Sequence, residues 1–208
     1  MNDEAEAESG VDAGDAVTPP ATAPGRPRDE EASGRIRAAA LKLVREEGYG
    51  QVSISRIAKE AGAARQTLYN RWPTKAELVL DAFFAQANAI AARPDPAPDV
   101  PRSIVLRDFL CDIFAHLQRD GAALRSLIAA AQQDEDFCAI FRTRFVEPRG
   151  HIVEELLRDA QKRGELGAGR DTAMLTALVH GAFWYRLLNG QALDDRLAQG
   201  IVAEIFGG

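Results

Sequence analysis

The sequence predicts an all-α protein with an N-terminal three-helix helix-turn-helix domain followed by a helical bundle. Apolar residues recur at i, i+3 and i+4 in segment after segment, and β-type alternation is found nowhere in the 208 residues. Two short helical segments joined by a glycine turn supply the helix-turn-helix itself. With 46% hydrophobic and 27% charged residues, the chain has the composition of a globular protein and length enough to bury a core.

The elements follow in order. Residues 1–25 hold six acids, no base and few large aliphatics, which predicts a disordered acidic tail. Gly25-Arg26-Pro27-Arg28 is a basic, proline-stiffened arm. It leads into a helix with Ile36, Ala39, Ala40, Leu43 and Val44 on one face, ended by Gly48. Ser53 is an N-cap for a second helix that turns Ile57, Ala58 and Ala61 inward and stops at Gly62. A third, about 64–70, buries Leu68 and leaves Arg65, Gln66, Thr67 and Tyr69 outside. Trp72-Pro73 breaks the chain, and Thr74 with Glu77 forms a capping box for a fourth helix running to about Ala92. Ile36, Leu43, Ile57, Leu68, Trp72 and Leu78 are the expected core of this region. The proline-rich stretch from Pro94 to Pro101 marks a boundary. Further helices are expected at about 102–119, 122–133, 135–163, 171–189 and 194–206, with Pro148 kinking or splitting the third of them. The expected organisation is a tail (1–25), a DNA-binding domain (26–80) and a helical domain (81–208).

Charge is distributed unevenly. The net −6 divides into −6 over residues 1–25, +3 over 26–91 and −3 over 92–208, so the basic segment is the one with the helix-turn-helix. Cys111 and Cys138 lack the paired spacing of a zinc site or disulfide framework, which fits a reducing cytoplasm. No apolar run is long enough to span a membrane, and the acidic N-terminus is unlike a signal peptide, so the expectation is an unexported cytoplasmic protein without membrane contact. There is no nucleophile with its base, no phosphate loop and no convincing carboxylate pair, which argues against an enzyme and leaves no cofactor to expect. His151 with Glu154 and Glu155 has helical spacing that metal ligands share, with His116 and His180 as possible additions. A solvated helix face explains the same pattern, and no metal is assigned.

The stretch from Ile54 to Leu78 resembles the DNA-binding region of the TetR family of regulators. The resemblance is carried by Ile-Ala-x-x-Ala-Gly at Ile57–Gly62, Thr67-Leu68-Tyr69, the aromatic Trp72 and Lys75 at the start of the next helix. It departs from the family at Ala63-Ala64, where members commonly have Val followed by Ser or Thr, so a hydroxyl able to cap the recognition helix is absent. The distal half is similar to the ligand-binding region of one branch through Leu127–Asp134, Phe141–Arg149 and Tyr185–Gly190.

The resemblance implies double-stranded operator DNA as partner. Ser53, Thr67, Tyr69 and Lys75 are expected on phosphates and Arg65 and Gln66 on base edges, with Asn70 beside them. Arg26 and Arg28 are expected to enter an adjacent minor groove. It also implies a small-molecule effector in the second half, with Phe109, Phe114, Phe141, Phe145 and Trp184 as candidate contacts, although the same aromatics serve equally as core. Leu175, Val179, Phe183, Leu187, Val202 and Ile205 form wide apolar faces expected to pair in a homodimer, with an intrachain core as the alternative. The expected function is a ligand-responsive regulator, a repressor, bound to a palindromic operator as a homodimer. The alternative is a helical ligand-binding or protein-interaction module without sequence-specific DNA binding.

Overall fold

The computed structural model of the chain describes residues 26–90, 94 and 97–207. The acidic tail and the side chains of Arg26 and Arg28 lie outside them. Among the described residues there are nine α-helices and no strand: α1 (Arg26–Glu47), α2 (Ile54–Ala61), α3 (Arg65–Tyr69), α4 (Lys75–Ile90), α5 (Arg102–Ala131), α6 (Glu135–Phe141), α7 (Glu147–Lys162), α8 (Thr172–Leu188) and α9 (Asp195–Phe206).

The first four helices form where the punctuation requires. α1 ends at Gly48, whose φ of 80° is open to glycine without steric cost. A 3₁₀ turn, Tyr49–Gln51, leads to Ser53, which caps α2 by accepting the Arg56 amide at 3.3 Å. Gly62 closes α2 in the left-handed conformation, φ 62°. Ala64 precedes α3 with extended backbone and makes no side-chain cap, as its methyl group dictates. The Thr74 hydroxyl accepts the Glu77 amide at 3.1 Å, but the Glu77 carboxylate faces Arg144 at 3.7 Å instead of completing the box. Ile36, Leu43, Ile57, Leu68, Trp72 and Leu78 are all buried, and the Trp72 indole donates to Asp81 at 2.9 Å.

The second half departs from expectation at Gly121. Residues 102–131 form one continuous helix rather than two. The glycine is a point of close approach, since a Cβ there would lie 3.1 Å from Leu187 Cδ1 on α8. α5 is therefore the central rod: α7, α8 and α9 pack on it from one half, and α1, α4 and the Tyr49 turn from the other. Its first residue, Arg102, is buried and tied to α7 through Asp159 and to Val100 O at 2.7 Å.

Pro148 does split the expected 135–163 helix. Its ring cannot donate and would clash with the carbonyl four residues back. The backbone answers with a widened π turn over Arg142–Val146 before α7 resumes.

Because α3 starts on an alanine whose backbone already has cap geometry, Ala64→Ser is expected to stabilise the protein by about 1 kcal/mol, read as an increased urea midpoint with unchanged m-value.

Candidate nucleic-acid interface and buried cavity

α3 is five residues long and stands on Leu68, which has no exposed surface. That anchor turns Arg65, Gln66, Tyr69 and Asn70 outward together, with Thr67 half-buried at their edge. Gln66 donates to Asn70 at 2.9 Å, which orients its amide. Arg65 makes no hydrogen bond or ion pair among the described residues, and its guanidinium is exposed. Ser53 lies exposed at the start of α2, its hydroxyl accepting from Arg56. The surface thus offers guanidinium, amide, phenol and hydroxyl groups within one turn, the donor set that suits base edges and phosphates.

Three nearby cations sit differently from a free basic face. Lys75, expected on a phosphate, has its ammonium turned inward: it donates to the carbonyls of Tyr49 and Val52 at 3.0 Å each and lies 4.0 Å from the Tyr49 ring centre. Burial lowers its pKa and pushes the Tyr49 phenol up to about 12. Carbonyls left at the end of the 3₁₀ turn attract the cation from the neighbouring helix start, a demand invisible in spacing alone. Arg56 pairs with Glu47 at 2.7 Å, and Arg71 holds Asp29 and the Ser33 hydroxyl, tying the start of α1 to the end of α3.

The second site is a cavity of about 90 Å³ between α4, α5, the π turn, α7 and α8. Of the aromatics expected at an effector, Phe109, Phe145 and Trp184 line it. Phe114 and Phe141 do not. Phe114 lies about 100° round α5 from the lining residue Ile113 and packs edge-on against Phe183, ring centres 5.9 Å apart. Phe141 backs Phe145 from α6 at 5.0 Å. Phe183, expected at a dimer face, instead lines the cavity.

Three polar residues stand in the wall: Arg149, to which the sequence reading gave no role, and His116 and His180, which it weighed only beside His151 as metal ligands. Each falls on an apolar helical stripe, and that misplacement was the available signal. Arg149 continues the row Phe145, Ile152, Val153 and Leu156; His116 continues Phe109, Ile113, Leu117 and Leu124. Burial lowers the pKa of both histidines, against Asp120 for His116 and against the Thr176 carbonyl for His180, so both rings are neutral at pH 7. Burial also lowers Arg149, to about 10, and its guanidinium lies 4.1 Å from the Phe145 ring centre and 5.1 Å from that of Phe84.

The cavity touches the first half through charge. Asp120, without exposed surface, accepts from Arg45 of α1 and lies 3.3 Å from His116 Nδ1. That last contact is too poorly aligned to be a hydrogen bond, so both His116 ring nitrogens and Asp120 Oδ2 are buried without hydrogen-bond partners among the described residues.

Family comparisons agree with this two-part layout. Residues 36–82 match the model of bacterial regulatory proteins of the tetR family, and residues 106–205 match the tetracyclin repressor-like C-terminal domain. The HTH-type transcriptional regulator YdeS of Bacillus subtilis, itself uncharacterized, is 32% identical over 185 residues, 88% of this chain and 92% of the relative. The chain belongs to the TetR family of transcriptional regulators. The TetR family transcription regulator SCO0332 superposes with a TM-score of 0.69 at 30% identity, covering 86% of this chain and 98% of that one. A DNA-binding transcriptional repressor, TetR, of Mycobacteroides abscessus is 29% identical over 187 residues, 86% of this chain and 94% of the relative. TetR family regulators bind DNA and small-molecule effectors and are not enzymes. α2 and α3 both lie within the residues 36–82 that match the tetR family model.

Lys75→Met removes a cation from two carbonyls and is expected to cost roughly 2 kcal/mol in urea unfolding. Arg65→Ala on the exposed face should stay within about 0.5 kcal/mol of the parent.

Proposed function

We propose that this TetR family member is a repressor that binds a palindromic operator in the cytoplasm as a homodimer and lets go when a small molecule fills the cavity. On this reading α1–α3 and the start of α4, up to about residue 80, form the DNA-binding unit, and residues 81–208 carry the cavity and the dimer face. The observation that carries the reading is the line from cavity to DNA-binding half: His116 in the wall, Asp120 one turn on, and Arg45 on α1. A ligand that favours a different α5 position must strain or release that contact, and only such a differential interaction can change DNA affinity. A relative named as a repressor favours repression over activation.

The homodimer is supported by a face other than the one the sequence suggested. Leu175, Val179, Phe183, Leu187 and Ile205 are buried within the chain, and Val202 is half-buried. α8 has two apolar faces, and these residues lie on the inward one, the intrachain core that stood as the alternative to a dimer face. Met174, Leu178, Tyr185 and Leu188 are each more than half exposed and, with Gly181, alternate by four and three residues. That is the spacing of a knobs-into-holes seam. A groove beside it, between α8 and α9, gives room for the partner's helix. A two-fold pair brings two recognition helices to half-sites about one or more helical turns apart.

Fluorescence anisotropy with the DNA upstream of the chain's own gene, over a salt series, tests the reading. Tight, sequence-preferring binding is expected, weakened about tenfold by Tyr69→Ala, a loss of about 1.4 kcal/mol. Equal weak binding to any DNA would favour the module that does not read sequence. Leu178→Glu places a charge in the seam and is expected to give monomers in sedimentation velocity and to abolish tight binding; a dimer that persists would remove the proposed face.

A further inference from the structure

We propose that the cavity takes a small apolar acid, a short-chain or single-ring carboxylate, with its carboxylate on Arg149 and its apolar body against Phe109, Phe145 and Trp184. The inference rests on the effector reading above and names the chemistry of that site.

Three observations carry it. Arg149 is a largely buried cation with no carboxylate partner among the described residues, faced instead by the Phe145 and Phe84 rings. Ring contacts offset only part of the cost of taking a guanidinium out of water, so the site gains most from an anion that brings two oxygens to its fork. His116 is 4% exposed and lines the same cavity, and its Nε2 has no hydrogen-bond partner among the described residues. A buried neutral imidazole of this kind supplies one further hydrogen bond to a ligand and none to a hydrocarbon. Apart from His180, whose Nδ1 donates to the Thr176 carbonyl at 2.8 Å, the rest of the wall is apolar, from Phe83 and Leu110 to Ile152, so it disfavours a highly polar metabolite by leaving its other groups unpaired.

Size narrows the class. At about 90 Å³ the space is below the roughly 150 Å³ that accommodates benzene. A butyrate-sized acid needs little adjustment, whereas a ring needs the wall to yield. The wall has a place to do so: Val146 and Pro148 belong both to the cavity lining and to the surface, at the π turn, where the helix is already out of register. Enlargement there also bears on Arg144 of that turn and so on Glu77 in the first turn of α4, just past the recognition helix.

The test is calorimetric titration of the full chain with butyrate and benzoate against butyramide and benzamide, which match them in shape without the charge. The acids are expected to bind at least about tenfold more tightly than their amides, and Arg149→Gln to erase that difference. Arg149→Lys, which keeps the charge and loses the fork, should retain part of it. Circular dichroism of both variants confirms that they are folded. Amides that bind as well as acids, acids undiminished by Arg149→Gln, or no binding of either acid at about 1 mM would each overturn the proposal. The same probes added to the DNA complex separate the two readings. Acid binding that leaves DNA affinity unchanged keeps the ligand class and removes the effector role. Release by the amides alone keeps the effector role and removes the acid.

Discussion

Taking the Asp120 carboxylate wholly out of water costs several kcal/mol unless a cation comes with it. The cation is Arg45, and it belongs to α1 rather than to any helix of the second half. The pair therefore does more than bind two helices, because its two members are carried by the two functional parts of the chain. Separating the parts would leave a bare buried charge, so α1 is obliged to follow α5. The 3₁₀ turn reinforces the obligation: the Tyr49 amide donates to the Ser126 hydroxyl at 3.3 Å, and its ring lies 4.9 Å from Phe137. Lys75 in turn is held by that turn's carbonyls, so the start of α4 is tied to the same seam.

The constraint explains why polar residues interrupt the cavity wall. An apolar α5 would pack as well or better, since a buried ion pair contributes little net stability against a hydrophobic alternative. What the pair supplies is a contact that responds to its surroundings. His116 stands between cavity and carboxylate with neither nitrogen hydrogen-bonded among the described residues, and a ligand that engages one of them alters the field at Asp120. The π turn adds a mechanical counterpart, because Pro148 forbids a regular helix and leaves a segment whose geometry is set by packing instead of by a continuous hydrogen-bond ladder.

Most of the fold was legible because it is written in local chemistry. Gly48, Ser53, Gly62 and Thr74 act through their own backbones, and each delimits a helix where expected. The outward set on α3 was legible for the same reason, since one buried residue, Leu68, fixes the direction of its neighbours. What was not legible depends on partners distant in sequence. Gly121 reads as a stop until Leu187 is seen beside it, and Lys75 reads as a phosphate ligand until the Tyr49 and Val52 carbonyls are seen. The aromatic residues were assigned to the cavity by type, and type does not distinguish Phe145 in the wall from Phe141 one turn behind it. The better signal was the reverse one, a charged or imidazole side chain on an apolar stripe.

α8 unites the proposed roles because its two apolar faces are used for different things. Phe183, Trp184 and His180 face the cavity; Leu178, Tyr185 and Leu188 face outward. On the helix the two sets occupy adjoining flanks of one rigid rod, with Trp184 and Leu188 one turn apart, so a ligand that presses the inner flank moves the outer one with it. In the proposed homodimer the outer face is shared by two copies, and a displacement there is applied twice, once from each protomer. The separation of the recognition helices is then set jointly by the α8 seam and by α1 through Arg45. A coupling of about 1–3 kcal/mol between cavity and operator, a 5- to 150-fold change in affinity, is within reach of a single contact made in one state and lost in the other. The sharper demand falls on the ligand, which must distinguish the two states by that amount, and a cavity this small favours a ligand that does so by enlarging it.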